Sequence, residues 1–163
     1  MAKYKSKNEG GNCIFCEIAK GKMETPGIFW EDKNFMAFLS IFPNTKGATV
    51  VIPKKHYGSD VLAMPDKALR GLTLAAKKVS QILIKNLVDV GRVGLVMEGT
   101  GIDHAHIKLF PMQKTGHMKK GIWKQYASDN DQYFTAYAGY ISSNDGPRES
   151  DAKIKRLAEK LKK

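Results

Sequence analysis

Asp103-His104-Ala105-His106-Ile107-Lys108-Leu109-Phe110-Pro111 alternates polar and apolar side chains from His104 through Leu109. A period of two places His104, His106 and Lys108 on one face and Ala105, Ile107 and Leu109 on the other, as a half-buried strand requires. Two imidazoles and an ammonium make poor core material, because polar groups are costly to bury without partners. They suit an anionic ligand. The stretch is therefore read as a strand over 105–110 with a chemical face.

Working outward, Val93–Met97 reads as a strand joined to this one through the flexible Glu98-Gly99-Thr100-Gly101. Before it, Leu69, Leu72, Ala76, Val79 and Leu83 recur at spacings of three and four, which is a helix opening at Pro65-Asp66. Ala48–Ile52 is a β-branched run closed by Pro53, suited to an interior strand. Phe29–Glu31 and Phe35–Leu39 flank the turn residues Asp32, Lys33 and Asn34. Cys13–Lys20 fits a short helix capped by Asn12 and stopped by Gly21.

Downstream, residues 113–147 are irregular, with an aromatic group at Tyr133, Phe134, Tyr137 and Tyr140. A last amphipathic helix gathers Ile154, Leu157, Ala158 and Leu161, with lysines in its final turn that suit the dipole. There is no internal repeat. Strands dominate, one long helix crosses between them and a helix closes each end, so the fold class is α+β. Residues 1–12 are expected to be a flexible basic tail, 13–112 the main domain and 113–163 a C-terminal extension.

With 163 residues, 42% hydrophobic and 26% charged, the chain fits one ordinary globular domain. No apolar run approaches membrane-spanning length, and the basic tail lacks the apolar stretch of a secretory signal. Two cysteines in a single Cys-x-x-Cys do not make a disulfide framework, so a reducing, cytoplasmic setting is expected. The formal charge of +11 raises a nucleic-acid reading, but much of it lies in Lys3, Lys5 and Lys7 and in the last segment from Lys153 to Lys163. No lysine stripe interleaved with aromatics marks a base-stacking platform. Solubility and attraction for small polyanions explain the charge better.

Cys13-Ile14-Phe15-Cys16 at a helix start is a half-site for zinc, because the helix N-terminus lowers thiolate pKa and the spacing turns both sulfurs to one ion. His56 and His104 could complete a closed Cys₂His₂ site, which would be structural and pin the first helix to the sheet. A redox pair has the same spacing, although the strand that precedes Cys-x-x-Cys in thioredoxin-like sites is missing. Ordinary thiols with two surface histidines are equally compatible with the spacing.

If His104 is a metal ligand, His106 is left on the same face. An imidazole can attack a phosphoryl group and form a covalent nucleotidyl-histidine that water later cleaves. One nitrogen must be unprotonated and the other held by a hydrogen bond. Charge building on the non-bridging oxygens must also meet donors. Lys108 is placed to supply charge, and Gly99-Thr100-Gly101 to supply backbone N–H groups and a hydroxyl. The plain alternative is a pair of histidines exposed on an edge strand.

These residues resemble the signature of the histidine triad (HIT) superfamily, His-φ-His-φ-His-φ-φ followed by Pro, here His104-Ala-His106-Ile-Lys108-Leu-Phe-Pro111. Cys13-Ile-Phe-Cys-Glu-Ile18 resembles the family's N-terminal helix. Trp30-Glu31-Asp32, Ala37-Phe-Leu-Ser-Ile-Phe-Pro43 and Gly47-Ala-Thr-Val-Val-Ile-Pro53-Lys-Lys-His56 resemble its first strands in order. The similarity runs from about residue 13 to about residue 112. It implies the HIT fold, a five-stranded antiparallel sheet with helices, paired into a homodimer. It also implies nucleotide binding, with hydrolysis or transfer at the α-phosphate of a nucleotide ester, phosphoramidate or anhydride. The family nucleophile falls on His106. The ligands of zinc-containing bacterial members fall on Cys13, Cys16, His56 and His104, and the base and ribose pocket on Ile14, Phe15, Ile18, Ser40 and Ile41. Gly139–Arg148 resembles an extension of one bacterial-type branch, in which Arg148 would reach a phosphate.

Three departures bear on activity. The third triad position is Lys108 instead of His, which keeps charge near the phosphate but cannot shuttle a proton at neutral pH without a strongly lowered pKa. The family's ribose-binding Asp is Ser40, which offers fewer hydrogen bonds to a diol. Its Gly-Gln-Ser-Val approach becomes Gly99-Thr100-Gly101-Ile102, so Gly101 replaces a serine hydroxyl that helps the leaving group. The leading reading is a nucleotide hydrolase or nucleotidyl transferase with structural zinc. The alternative is a catalytically weak nucleotide-binding or partner-binding protein. A nucleic-acid end-processing enzyme stands behind both, and no membrane partner is expected.

Overall fold

Five strands form a single antiparallel sheet in the order β1-β2-β3-β5-β4. In this computed structural model they are β1 (Ile28–Glu31), β2 (Phe35–Leu39), β3 (Thr49–Pro53), β4 (Arg92–Val96) and β5 (Ile107–Met112). Two helices accompany them, α1 (Ile14–Ala19) and α2 (Asp66–Asn86). The structure describes residues 13–25, 27–123, 135, 136 and 150, and every element lies within the compact unit Lys3–Trp123. The expected C-terminal helix, its apolar residues Ile154, Leu157, Ala158 and Leu161, the aromatic group at 133–140 other than residues 135 and 136, and Arg148 lie outside the described residues. Asn12, the expected cap of α1, also lies outside them; the N-cap is Cys13, with no side-chain cap bond, because α1 runs from Ile14 to Ala19 and not over Cys13–Lys20.

Local chemistry explains the elements. Asp32 turns β1 into β2 because its Oδ1 accepts from the N–H groups of Asn34 and Phe35, both at 2.8 Å. The 21-residue α2 starts behind Pro65, with Asp66 in its first turn and Lys85 in its last, in keeping with the dipole. It carries the chain from β3 to β4, and β5 then returns between them, which makes β3 and β4 parallel neighbours of a shared antiparallel strand.

Alternation gives the sheet two faces with different occupants. Ala37, Val51, Ile107 and Leu109 face α2 and pack with its buried Leu72, Ala75, Ala76, Val79 and Leu83. Met36, Phe38 and Ile52 face the other way and pack with Phe15 and Ile18 of α1. Gly71 lets α2 settle on the sheet: a Cβ there would lie 2.6 Å from Cζ of Phe35. Leu72 is fully buried. Leu72→Ala is expected to cost about 2–5 kcal/mol, read as a lower urea midpoint at unchanged slope.

β5 differs from expectation in place and setting. It begins at Ile107 instead of 105, because the preceding backbone is engaged elsewhere. The N–H of His104 donates to the Ile102 carbonyl and that of Ala105 to the Tyr57 carbonyl, both at 2.8 Å. The strand is interior, and His104 and His106 are buried at 0% and 3% exposure. The pair is not exposed on an edge strand, and of His56 and His104, the two read as surface histidines in the plain alternative, only His56 is exposed. No described helix is long and apolar enough to cross a membrane.

Candidate active site and metal centre

Four metal-type ligands converge where α1 meets the end of β3 and the approach to β5. One ligand atom from each of Cys13, Cys16, His56 and His104 lies within 4.8 Å of every other. Nδ1 of His104 is 3.3 Å from Sγ of Cys13 and 3.5 Å from Sγ of Cys16, and Nδ1 of His56 is 3.4 Å from Sγ of Cys16. A tetrahedral zinc ion, with bonds of about 2.3 Å to sulfur and about 2.1 Å to nitrogen, sets such atoms roughly 3.6 Å apart. The spacing fits. The donor set fits as well, because two soft sulfurs with two imidazoles form a closed structural shell.

The surroundings orient these ligands. His104 Nε2–H donates to the Pro53 carbonyl at 2.9 Å, which turns Nδ1 and its lone pair toward the cysteines. Burial holds the His104 pKa below its ordinary value, so the ring is neutral, as a ligand must be. Cys16 departs from the expected lowering. Burial first, then its hydrogen bond and proximity to Cys13, push the thiol up to about 11. Two neighbouring thiols resist joint ionisation, and a bound cation would offset that cost.

The loop that carries His56 is fastened to the segment that carries His104. Besides the Ala105–Tyr57 backbone bond, the Ser59 N–H donates to Oδ1 of Asp103 at 2.9 Å. Gly99, at φ +64°, lets the 98–103 loop press against the same segment, since a Cβ there would stand 2.7 Å from the Ser59 carbonyl oxygen.

His106 is positioned by its own backbone. Its Nδ1 is 2.8 Å from the His104 carbonyl, which can only accept, so Nδ1 carries the proton and Nε2 is left with a lone pair. Phe15 sets its ring edge-on to both imidazoles, with centroids 5.8 Å from His104 and 5.6 Å from His106. The His106 pKa lies below the ordinary histidine value, chiefly through burial, with the hydrogen bond to the His104 carbonyl acting the other way. A neutral, oriented imidazole with one free nitrogen is equipped for nucleophilic attack.

Lys108 pairs with Val50 of β3 and Val96 of β4, and its ammonium forms an ion pair with Glu98. Sequence reading treated Glu98 as part of a flexible link and missed this contact. Continuing the Val96–Lys108 register by two residues would have set Glu98 opposite His106.

The expected nucleoside contacts are placed as follows. Phe15 and Ile18 are buried, and Ile18 also lines an open cleft of about 320 Å³ with Met23 and Ile28. Ile14 packs beside them in the α1 cluster. Ser40 Oγ accepts from the Phe42 N–H at 3.1 Å, and Ile41 is 65% exposed. Thr100 is half-buried in the loop before His104.

Residues 23–115 match the model of the HIT domain. The chain is 30% identical over 122 residues to protein hit of Bacillus subtilis, covering 72% of this chain and 83% of that one. It is 28% identical over 129 residues to an adenosine 5′-monophosphoramidase of Candida albicans, covering 74% and 84%. A crystal structure from Streptococcus mutans superposes with a TM-score of 0.65 at 24% identity, covering 99% of this chain and 91% of that one, a likeness of fold.

Proposed function

The chain belongs to the HIT family, and from that premise we propose that it is a nucleotide hydrolase or nucleotidyl transferase whose nucleophile is Nε2 of His106. The observation that carries this reading is the His106 Nδ1–His104 carbonyl hydrogen bond, which leaves Nε2 unprotonated in a buried, aromatic-walled position. The phosphoramidase activity of the Candida relative, by its name, supports the reaction class.

Nε2 attacks the α-phosphorus, and the P–N bond forms as the bond to the leaving group breaks. The leaving group departs with that electron pair and takes a proton from solvent. Water, or an acceptor in a transfer, then attacks phosphorus. The nucleoside monophosphate leaves, the imidazole recovers its lone pair and the water proton passes to solvent. Lys108, two residues beyond His106 and ion-paired with Glu98, is assigned to the non-bridging oxygens. Ile14, Phe15, Ile18, Ser40 and Ile41 are assigned to the nucleoside, and Thr100 and Arg148 to phosphate.

Cys13, Cys16, His56 and His104 would hold zinc. Bound there, it supplies a cross-link between α1 and the sheet, since four protein ligands leave no position for water. The homodimer is part of the same reading: β4 is a sheet edge, and its Leu95 is 45% exposed. Free thiols at Cys13 and Cys16 suit a reducing, cytoplasmic setting.

The binding-protein alternative draws on the Lys108–Glu98 pair, which engages the ammonium that would otherwise meet a phosphate. One assay separates the two. The protein is incubated with adenosine 5′-phosphoramidate, a diadenosine polyphosphate and a nucleoside diphosphate sugar, and AMP or the cognate monophosphate is measured. Release from at least one supports the enzyme. AMP binding with no release from any of the three supports the binder.

A further inference from the structure

The Lys108–Glu98 pair sits close to the reacting imidazole. Lys108 is two residues beyond His106 on the same face of β5, and its partner Glu98 lies two residues past Val96, the residue registered opposite Lys108. The ladder ends at the Val96–Lys108 pair, and both Glu98 and Lys108 act electrostatically on His106. Both side chains are largely withdrawn from water, Glu98 at 13% exposure and Lys108 at 31%. Charges so shielded act over several ångströms with little screening. Glu98 also lines a cleft of about 160 Å³ with Ser59, Asp60, Leu62, Met97 and Gly99, and none of its lining residues is a lysine or arginine.

An approaching α-phosphate meets a paired ammonium and a carboxylate, whose charges sum to zero, instead of a bare ammonium. Repulsion from the carboxylate grows with each further negative charge that the ligand brings into its range. A scissile phosphate joined to an uncharged or cationic group adds none. A polyphosphate chain adds several, beside a cleft whose lining residues include no lysine or arginine.

We propose that Glu98 is a specificity-determining residue, a charge filter that turns this site away from polyphosphate chains and toward nucleotides whose reacting phosphate carries the only nearby charge. The proposal rests on His106 acting at a nucleotide α-phosphate, and it adds which substrates that site accepts.

The test compares wild type with Glu98→Gln and Glu98→Asp. The readout is the ratio of kcat/KM for a diadenosine polyphosphate to that for adenosine 5′-phosphoramidate. Glu98→Gln, which removes the charge and keeps the shape, is expected to raise the ratio at least about tenfold. Glu98→Asp, which keeps the charge, is expected to hold the ratio within about threefold of wild type. An unchanged ratio in Glu98→Gln, or an equal rise in both variants, overturns the proposal while leaving His106 chemistry intact. If wild type shows no His106-dependent turnover, the functional reading fails separately. The filter is then read from binding: Glu98→Gln must tighten ATP relative to AMP by about tenfold, and equal affinity changes overturn it.

Discussion

His106→Ala is expected to lower turnover of the best nucleotide substrate by roughly 10³- to 10⁶-fold, the loss that follows removal of a covalent nucleophile. The imidazole is 3% exposed and packed against Phe15, so the truncation also opens a void. His106→Asn separates the two effects. Its side-chain amide can still donate to the His104 carbonyl but offers no nucleophilic nitrogen. Both variants should retain the metal and a cooperative unfolding transition, checked by elemental analysis and circular dichroism, while product release falls to background in each. Turnover in either within about tenfold of wild type would remove His106 from the nucleophile's role.

The second large effect belongs to the metal centre. Wild-type protein prepared with zinc available should contain about one ion per chain, as one Cys₂His₂ shell requires. Cys16→Ala should abolish stoichiometric zinc, because Cys16 Sγ lies within 3.5 Å of both histidine ligands and has no substitute nearby among the described residues. Structural zinc contributes about 10–16 kcal/mol in isolated finger peptides. Here the sheet and α2 have their own core, so only the docking of α1 depends on the metal. A loss of about 4 kcal/mol, or more than about 10 °C in Tm for a chain of this size, is expected, with wild type plus chelator giving the same shift. His104→Ala should cost more than His56→Ala, since His104 is fully buried and hydrogen-bonded to Pro53 whereas His56 is exposed. Full zinc content in Cys16→Ala would rule out the four-ligand site.

Much of this architecture is legible in the chain, and the limits have identifiable causes. β2 is readable at its full length, because its apolar run, buried at three successive residues, follows directly on the Asp32 turn. The helical periodicity through Leu72, Val79 and Leu83 marks α2, because that stripe has one sheet to cover. The start of β5 is not readable. Local propensity favours continuing the strand back to Ala105, and the competing partner, the Tyr57 carbonyl, is 48 positions away in sequence. Burial of the histidines is hidden for a similar reason: the polar face of β5 is covered by Phe15 from a six-residue helix at the far end of the domain.

The four metal ligands can be gathered as a set from residue type alone, but spacing leaves a redox pair and ordinary thiols open, and the family pattern is what favours zinc. The raised Cys16 thiol shows where helix-dipole reasoning gives way. The helix has only six residues and no side-chain cap, and Cys16 is raised by burial and by the neighbouring Cys13. The role of Glu98 is not legible, because a Glu-Gly-Thr-Gly stretch reads as a link while its ion pair depends on how two strands pair.

The most direct test of the central claim is rapid-quench mass spectrometry of the wild-type protein mixed with the best substrate from the nucleotide panel. A transient adduct of one nucleoside monophosphoryl group per chain, acid-labile and mapped to the peptide containing His106, is the predicted result. Product formation with no adduct at any quench time, or with an adduct on another residue, would contradict it.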